Sequence, residues 1–256
     1  MDIRTNFATM NPNAVLLLTG TVNPNGMVLT EIQDTEVRKR QYIESIKFWL
    51  KKVSFPIVFV ENSNNDLSDY FSNEIGSGKI EILYFNGNNY DKRLGKGLGE
   101  LNCIEYATLN SSIIKNAGFV FKVTGRYKVI NFHTFLSDYE SHPDVDIMVD
   151  FKWNLTFCDS RFFGFKPSFV ADYFSSYKET LNDSTGVYLE HALSKAALTA
   201  IANTYTFRPL ITLPRIEGYS ASSGTQYNSS YLHWFRYKFE YWIKYRSFGL
   251  GNLPWI

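Results

Sequence analysis

Phe55-Pro-Ile-Val-Phe-Val-Glu-Asn-Ser-Asn-Asn-Asp66 is the stretch on which the fold turns. Pro56 to Val60 is apolar at every position and of strand length, and it stops at a cluster of turn-forming polar residues. A strand with no polar face is covered on both sides, as in a parallel sheet flanked by helices. Reading outward, Ala14-Val-Leu-Leu-Leu18 is a second such run, closed by Thr19-Gly20-Thr21. Between the two lies Glu31 to Lys52, where Tyr42, Ile43, Ile46, Trp49 and Leu50 share one side at helical spacing. Arg38, Lys39, Arg40, Glu44 and Lys47 fall elsewhere on that helix.

The pattern continues C-terminally. Lys79 to Phe85 reads as a third strand, Gly95 to Gly99 as a glycine-rich loop, Glu100 to Lys115 as a helix and Gly118 to Thr124 as a fourth strand. Strand, helix, strand, strand, helix, strand with short connections predicts an α/β fold: a Rossmann-type, mostly parallel sheet with helices on both faces. The segment from Asn131 to Pro167 is less regular, with short strands expected at Asp146–Phe151 and Leu155–Cys158. Gly186 to Thr204 reads as a helix, Arg208 to Ile216 as extended chain and Gly218 to Tyr227 as a small-residue loop. No linker is visible. The expected organisation is one domain over 1–230, with a nucleotide-binding half (about 12–130) and an acceptor half (about 131–230), then a C-terminal helix and tail over 231–256.

Composition narrows the class. With 45% hydrophobic and 20% charged residues among 256, the chain is globular. A net charge of +1 offers nothing to a phosphate backbone, so no nucleic-acid partner is expected. Aromatics reach 17%, which suits sugar platforms, cores and partner surfaces alike. Cys103 and Cys158 make no disulfide scaffold and read as reduced and buried. There is no signal-peptide pattern at Met1–Met10 and no apolar run long enough to span a bilayer, so a cytoplasmic protein is expected. Tyr231 to Phe248 carries aromatics nearly all round with Arg236, Lys238, Lys244 and Arg246 between them. That suits peripheral contact with the inner face of a membrane, or equally a helix docked on the core or on a second copy.

Open α/β sheets bind ligands at the carboxyl ends of their strands. Here those ends carry Thr19, Gly20 and Thr21, then Glu61 and Asn62, then Lys96 in the glycine-rich loop, then Lys122, Thr124, Gly125, Arg126 and Tyr127. An acid and an amide take ribose hydroxyls or a base edge, glycines admit close backbone approach, and cations balance phosphate. Turns and surface charges are the plain alternative.

At this point the chain resembles a family. Pro56 to Asp66, an apolar strand ending in Glu61-Asn62-Ser63, is similar to the second strand of family-2-type glycosyltransferases of the GT-A fold, and Ala14 to about Tyr127 follows that fold's nucleotide-binding half. Gly95-Lys-Gly-Leu-Gly-Glu100, Lys122-Val-Thr-Gly-Arg-Tyr127 and Pro214-x-x-x-Gly-Tyr-Ser220 look like bacterial capsule and O-antigen transferases. The resemblance implies a nucleotide-sugar donor, UDP-linked first and CMP- or GDP-linked next, and a glycan or lipid-linked acceptor. One departure stands out: the place after the fourth strand, where that family carries a metal-binding Asp-x-Asp, holds Lys122 to Tyr127. Arg126, with Lys122, would then neutralise the leaving phosphate, and the favoured expectation is no metal cofactor; the alternative is that both are surface charges and that Asp146, Asp150 or Asp159 provides a metal site.

Transfer with inversion needs a base for the acceptor hydroxyl. In the resembling fold it opens a late helix, which implies Glu190 in Gly186-Val-Tyr-Leu-Glu-His191, with His191 beside it; Asp159 in Cys158-Asp-Ser-Arg-Phe-Phe163 is the second candidate. Arg161, Phe162, Phe163 and Tyr219 are the expected acceptor contacts. His133 and His142 near Asp138, Asp144 and Asp146 match no metal spacing. The other reading is a non-catalytic nucleotide- or carbohydrate-binding protein of the same fold.

Overall fold

Alternation along the first strand sets the layers. The computed structural model describes residues 13–28, 30–220, 224–227, 234, 235 and 239. Its elements run β1 (Ala14–Gly20), α1 (Thr35–Lys52), β2 (Ile57–Glu61), α2 (Ser72–Gly76), β3 (Ile80–Tyr84), α3 (Lys96–Asn110), α4 (Ser112–Lys115), β4 (Phe119–Thr124), β5 (Lys128–Val129), α5 (Phe132–Glu140), β6 (Ile147–Val149), β7 (Phe151–Lys152), β8 (Phe157–Cys158), β9 (Phe162–Phe165), α6 (Leu189–Ala202), β10 (Phe207–Pro209), β11 (Ile216–Tyr219) and β12 (Gln226–Tyr227). Leu16 and Leu18 of β1 pack with Tyr42, Ile46 and Trp49 of α1 and with Phe132 and Phe135 of α5. Val15 and Leu17 face the other way, into a core with Leu101 and Ile104 of α3 and Leu193 and Ala196 of α6. Helices therefore cover both faces. Each large side chain buried in these cores contributes about 1.5–3 kcal/mol.

Seven strands form one sheet in the order β10-β6-β9-β4-β1-β2-β3. β1 pairs in parallel with β2 and β4, β2 with β3, and β6 with β10. β9 runs antiparallel between β4 and β6. The sheet draws strands from both halves anticipated from sequence. The sequence reading did not anticipate β9, because Phe162 to Phe165 is too short and too aromatic to show alternation. Its placement corrects the acceptor expectation: Phe162 enters one core and Phe163 the other, and both are fully buried.

Boundaries shift for local reasons. α1 begins at Thr35, where the Asp34 carboxylate accepts the Val37 N–H at 2.9 Å. The second long helix begins at Lys96, so Gly97 and Gly99 are its first turn instead of a loop, and it breaks at Ser111, whose hydroxyl caps α4 at Ile114 N. The expected loop over Gly218–Tyr227 contains the β11–β12 pairing Gly218↔Tyr227 and Tyr219↔Gln226. Trp153, Asn154 and Leu155, between β7 and β8, all have positive φ (48°, 57° and 63°). For Trp and Leu that conformation costs about 1–2 kcal/mol each. Among the described residues no helix is long and apolar enough to cross a membrane. The expected helix over Tyr231–Phe248 lies outside the described residues except at Trp234, Phe235 and Phe239.

Candidate functional site

The chain leaves β1 to build β2 and β3 on one side, then crosses to β4 on the other. At such a switch point the loops separate and leave a crevice. Here it is an open cleft lined by Thr19, Gly20, Thr21, Arg38, Tyr42, Lys96, Glu100, Cys103, Thr124 and Arg126. A second hollow shares Thr21, Arg38 and Lys96 and continues past Pro24, Met27 and Tyr90. Close backbone approach shapes the floor: Gly125 N donates to Thr19 O at 2.8 Å, and a Cβ on Gly125 would stand 2.6 Å from that oxygen.

Positive charge converges on this cleft. Arg126 is 4% exposed, donates from Nη1 to Gln41 Oε1 at 2.9 Å, and lies 6.0 Å from the Tyr42 ring centroid. Its Nε is buried with no hydrogen-bond partner. Arg38, buried on α1, spends its donors on the Thr21 and Ile32 carbonyls. Burial, and then the nearby Arg126, lower the Arg38 pKa. Among the described residues neither arginine has a carboxylate within ion-pair distance. Two buried guanidiniums that repel one another form a site that an anion would relieve. Lys96 opens α3, whose N-terminal dipole adds to the field. Asp183 ties this terminus down by accepting the Lys96 N–H at 3.1 Å. Gly95 is at φ 88°, and a Cβ there would fall 2.1 Å from Asp183 Oδ2.

One carboxylate sits among these cations. Glu100 Oε1 accepts from Thr19 Oγ1 (3.0 Å), Thr124 Oγ1 (2.8 Å) and the Lys122 ammonium. Burial opposes its ionisation, but Lys122 and the two hydroxyls outweigh that and hold its pKa below the usual value. Lys122, fully buried, also donates to the Ser160 carbonyl at 2.6 Å. The Ser160 hydroxyl donates to Glu190 Oε1 at 2.8 Å. Ser160 thus meets Lys122 through its backbone carbonyl and Glu190 through its hydroxyl, and Glu190 is half-buried in the first turn of α6. Burial raises the Glu190 pKa, the Ser160 bond opposes the rise, and the charges of Glu100 and Asp159 add to it.

The structure brings Thr19, Gly20, Thr21, Lys96, Thr124 and Arg126 to one cleft, with Gly125 beneath it. Other expected residues are elsewhere or already engaged. Glu61 is fully buried and accepts from Val22 N, Ser63 N, Ser63 Oγ and Asn65 N, which fills the four acceptor positions of a carboxylate. It pins two loops and has nothing left for a ribose. Asn62 accepts from Thr21 Oγ1 and donates to Gly99 O, bridging the loop after β1 to α3. Lys122 is neutralised by Glu100, so of the expected pair only Arg126 presents charge to the cleft. Tyr127 is buried against Tyr227, and its carbonyl accepts from Ser45 Oγ and Trp49 Nε1.

The second base candidate is an ion-pair centre. Asp159 accepts from Arg161 N, Nε and Nη2 and from Lys152 Nζ. Burial opposes its charge, yet these partners hold its pKa well below the ordinary carboxylate range. Arg161 is spent on that pair and lies 5.1 Å from the Tyr227 ring. His191 Nδ1 accepts the Tyr188 N–H at 3.1 Å and so caps α6. Tyr219 is 41% exposed on β11 and is not among the lining residues. Asp146 pairs with Lys166, Asp150 with Lys152, and Asp138 takes the Arg208 fork at 2.6 Å. Among the described residues no group of three or more His, Cys, Asp or Glu is placed to hold a metal. Sequence reasoning missed Arg38 and Glu100. Arg38 lies one turn before Tyr42, a spacing that could have placed it on the buried side of α1.

No family model matches the chain, and no curated protein matches it. Solved structures overlap in part. A protein described as a nucleotide-diphospho-sugar transferase, from Desulfovibrio desulfuricans G20, is 10% identical over 78% of this chain and 80% of its own, with a TM-score of 0.43. A cytidylyltransferase from Leptospira borgpetersenii is 10% identical over 78% and 76%, at 0.39. Mouse xyloside xylosyltransferase 1 is 10% identical over 78% and 84%, at 0.40. All three scores lie below 0.5; the α/β class rests on the strand order and pairings of the chain itself.

Proposed function

We propose that this chain transfers a glycosyl group from a nucleotide-sugar donor, seating the donor diphosphate on Arg126 in the positive field of Arg38 and Lys96. The observation that carries the reading is the pair of buried, mutually repelling arginines lining one switch-point cleft, one of them with an unpartnered buried N–H. In the reaction the acceptor hydroxyl gives its proton to Glu190, its oxygen bonds the anomeric carbon, and the bond from that carbon to the phosphate oxygen breaks. The electron pair leaves with the nucleoside diphosphate. Cations placed before the reaction stabilise that charge most effectively, because they need not reorganise as it develops. They supply here the positive charge that a divalent ion supplies in metal-dependent transferases, and the reaction runs without one.

The finer assignment follows the sequence resemblance: a UDP-sugar donor, and a glycan or lipid-linked acceptor in bacterial capsule or O-antigen synthesis, made at the inner face of the cell membrane. The test is titration calorimetry with UDP, GDP and CMP and their sugars, each with and without EDTA. Binding of one nucleotide that survives EDTA, with transfer or slow hydrolysis of its sugar, is the expected result. Binding that requires added metal overturns the role given to Arg126. Binding without any turnover supports a non-catalytic nucleotide-binding protein instead.

A further inference from the structure

A second surface beside Glu190 has no part in the donor cleft. Trp153 is 69% exposed and Leu155 is 51% exposed, at the tip of the β7–β8 hairpin. Both hold a left-handed backbone that bulky side chains rarely adopt, with Asn154 between them in the same conformation. Other positive-φ residues outside glycine, such as Asn25, Asn64 and Thr204, occur singly. Gly or Asn would fit 153 and 155 with less strain, and neither side chain is in a core. A strained backbone that displays large apolar groups to solvent is a feature kept at functional sites.

The display is organised. The Trp153 and Phe157 rings are 4.5 Å apart, Phe157 meets His191 edge-on at 5.4 Å, and His191 stacks on Tyr188 at 5.6 Å. Tyr188 is 39% exposed. The tip is anchored to α6 because the Ser194 hydroxyl donates to the Leu155 carbonyl. Ser194 follows Glu190 by four residues and shares its side of the helix. The hairpin therefore holds an aromatic run in register with the carboxylate that Ser160 positions. With Nδ1 accepting from Tyr188 N, neutral His191 carries its proton on Nε2, as a donor.

We propose that Trp153, Phe157, His191 and Tyr188 form the acceptor subsite, taking a pyranose ring of a glycan. This rests on the transferase reading above and adds the acceptor class and the residues that bind it. A pyranose has a face of C–H groups and a rim of hydroxyls. The exposed rings match the face, and the His191 Nε2–H and Tyr188 hydroxyl match the rim. Neutral aromatic chemistry beside one carboxylate does not suit an anionic headgroup, and the platform is far smaller than a protein interface requires.

The test is saturation-transfer NMR with methyl glucoside, galactoside, mannoside and N-acetylglucosaminide, on the full chain and on Trp153→Asn. Asn fits the local backbone, so the variant should fold with an unchanged or higher Tm and bind nucleotide with unchanged Kd. Transfer to ring protons of at least one glycoside in the wild type, reduced five-fold or more in Trp153→Asn, is the expected result. No transfer to any of the four, or equal transfer in the variant, overturns the subsite. Sugar signals without any nucleotide binding leave the subsite standing and remove the donor reading, so the two failures are distinguishable.

Discussion

Replacing Arg126 with Met should move affinity and stability in opposite directions. Met keeps much of the buried stem and removes the charge, the unpartnered Nε and the bond to Gln41. A hydrogen bond from a guanidinium to a charged group contributes about 1.5–3 kcal/mol. Loss of one such bond to a diphosphate therefore weakens nucleotide Kd by about 10- to 150-fold. Relieving an unpaired buried donor returns about 1–3 kcal/mol, and losing the Gln41 bond removes about 0.5–1.5 kcal/mol. The net is about −0.5 to +2.5 kcal/mol, weighted towards a gain, or a Tm change of about −2 to +10 °C for a chain of this size. Calorimetry with UDP and a thermal melt on the same preparation read both quantities. A variant that melts several degrees lower while binding nucleotide normally would show that Arg126 is a structural residue, and the phosphate seat would have to move.

The remaining expectations concern the network behind the cleft. Glu190→Gln should leave nucleotide Kd intact and lower kcat by about two decades or more, the usual scale for a general base; normal turnover would exclude Glu190. The wild-type rate should rise with pH through a pKa above the ordinary Glu value, because burial raises it and only the ionised carboxylate accepts a proton. Ser160→Ala removes a bond that favours the ionised form, so that limb should move to higher pH, and an unmoved or lowered limb would sink the link between Ser160 and Glu190. Lys122→Met strands Glu100 and should cost about 3–5 kcal/mol in chemical denaturation, whereas the double variant Lys122→Met/Glu100→Gln should recover most of it. Equal losses in the two would mean the pair is not the source of the effect.

Much of the fold was legible because it rests on local patterns. The apolar runs at Ala14–Leu18 and Pro56–Val60 specify strands covered on both faces, and the spacing of Tyr42, Ile46 and Trp49 specifies the helix that covers one of them. The strand-end positions that reach the cleft, from Thr19 to Arg126, follow from knowing which ends of a parallel sheet open towards ligand. What the sequence could not show is who partners whom. Glu100 looked like the first residue of a helix, yet it meets Thr19 across 81 positions and Lys122 across 22. Glu61 resembled a nucleoside contact, but the loops folded around it consume its lone pairs. Phe162 and Phe163 resembled a sugar platform because only the insertion of β9 between β4 and β6 sends one ring into each core. Trp153 carried no periodic signal, and only the turn between β7 and β8 brings it beside α6. Periodicity along the chain encodes which faces are buried; burial of charge and pairing of polar groups depend on contacts made at long range, and those exist only once the sheet has closed.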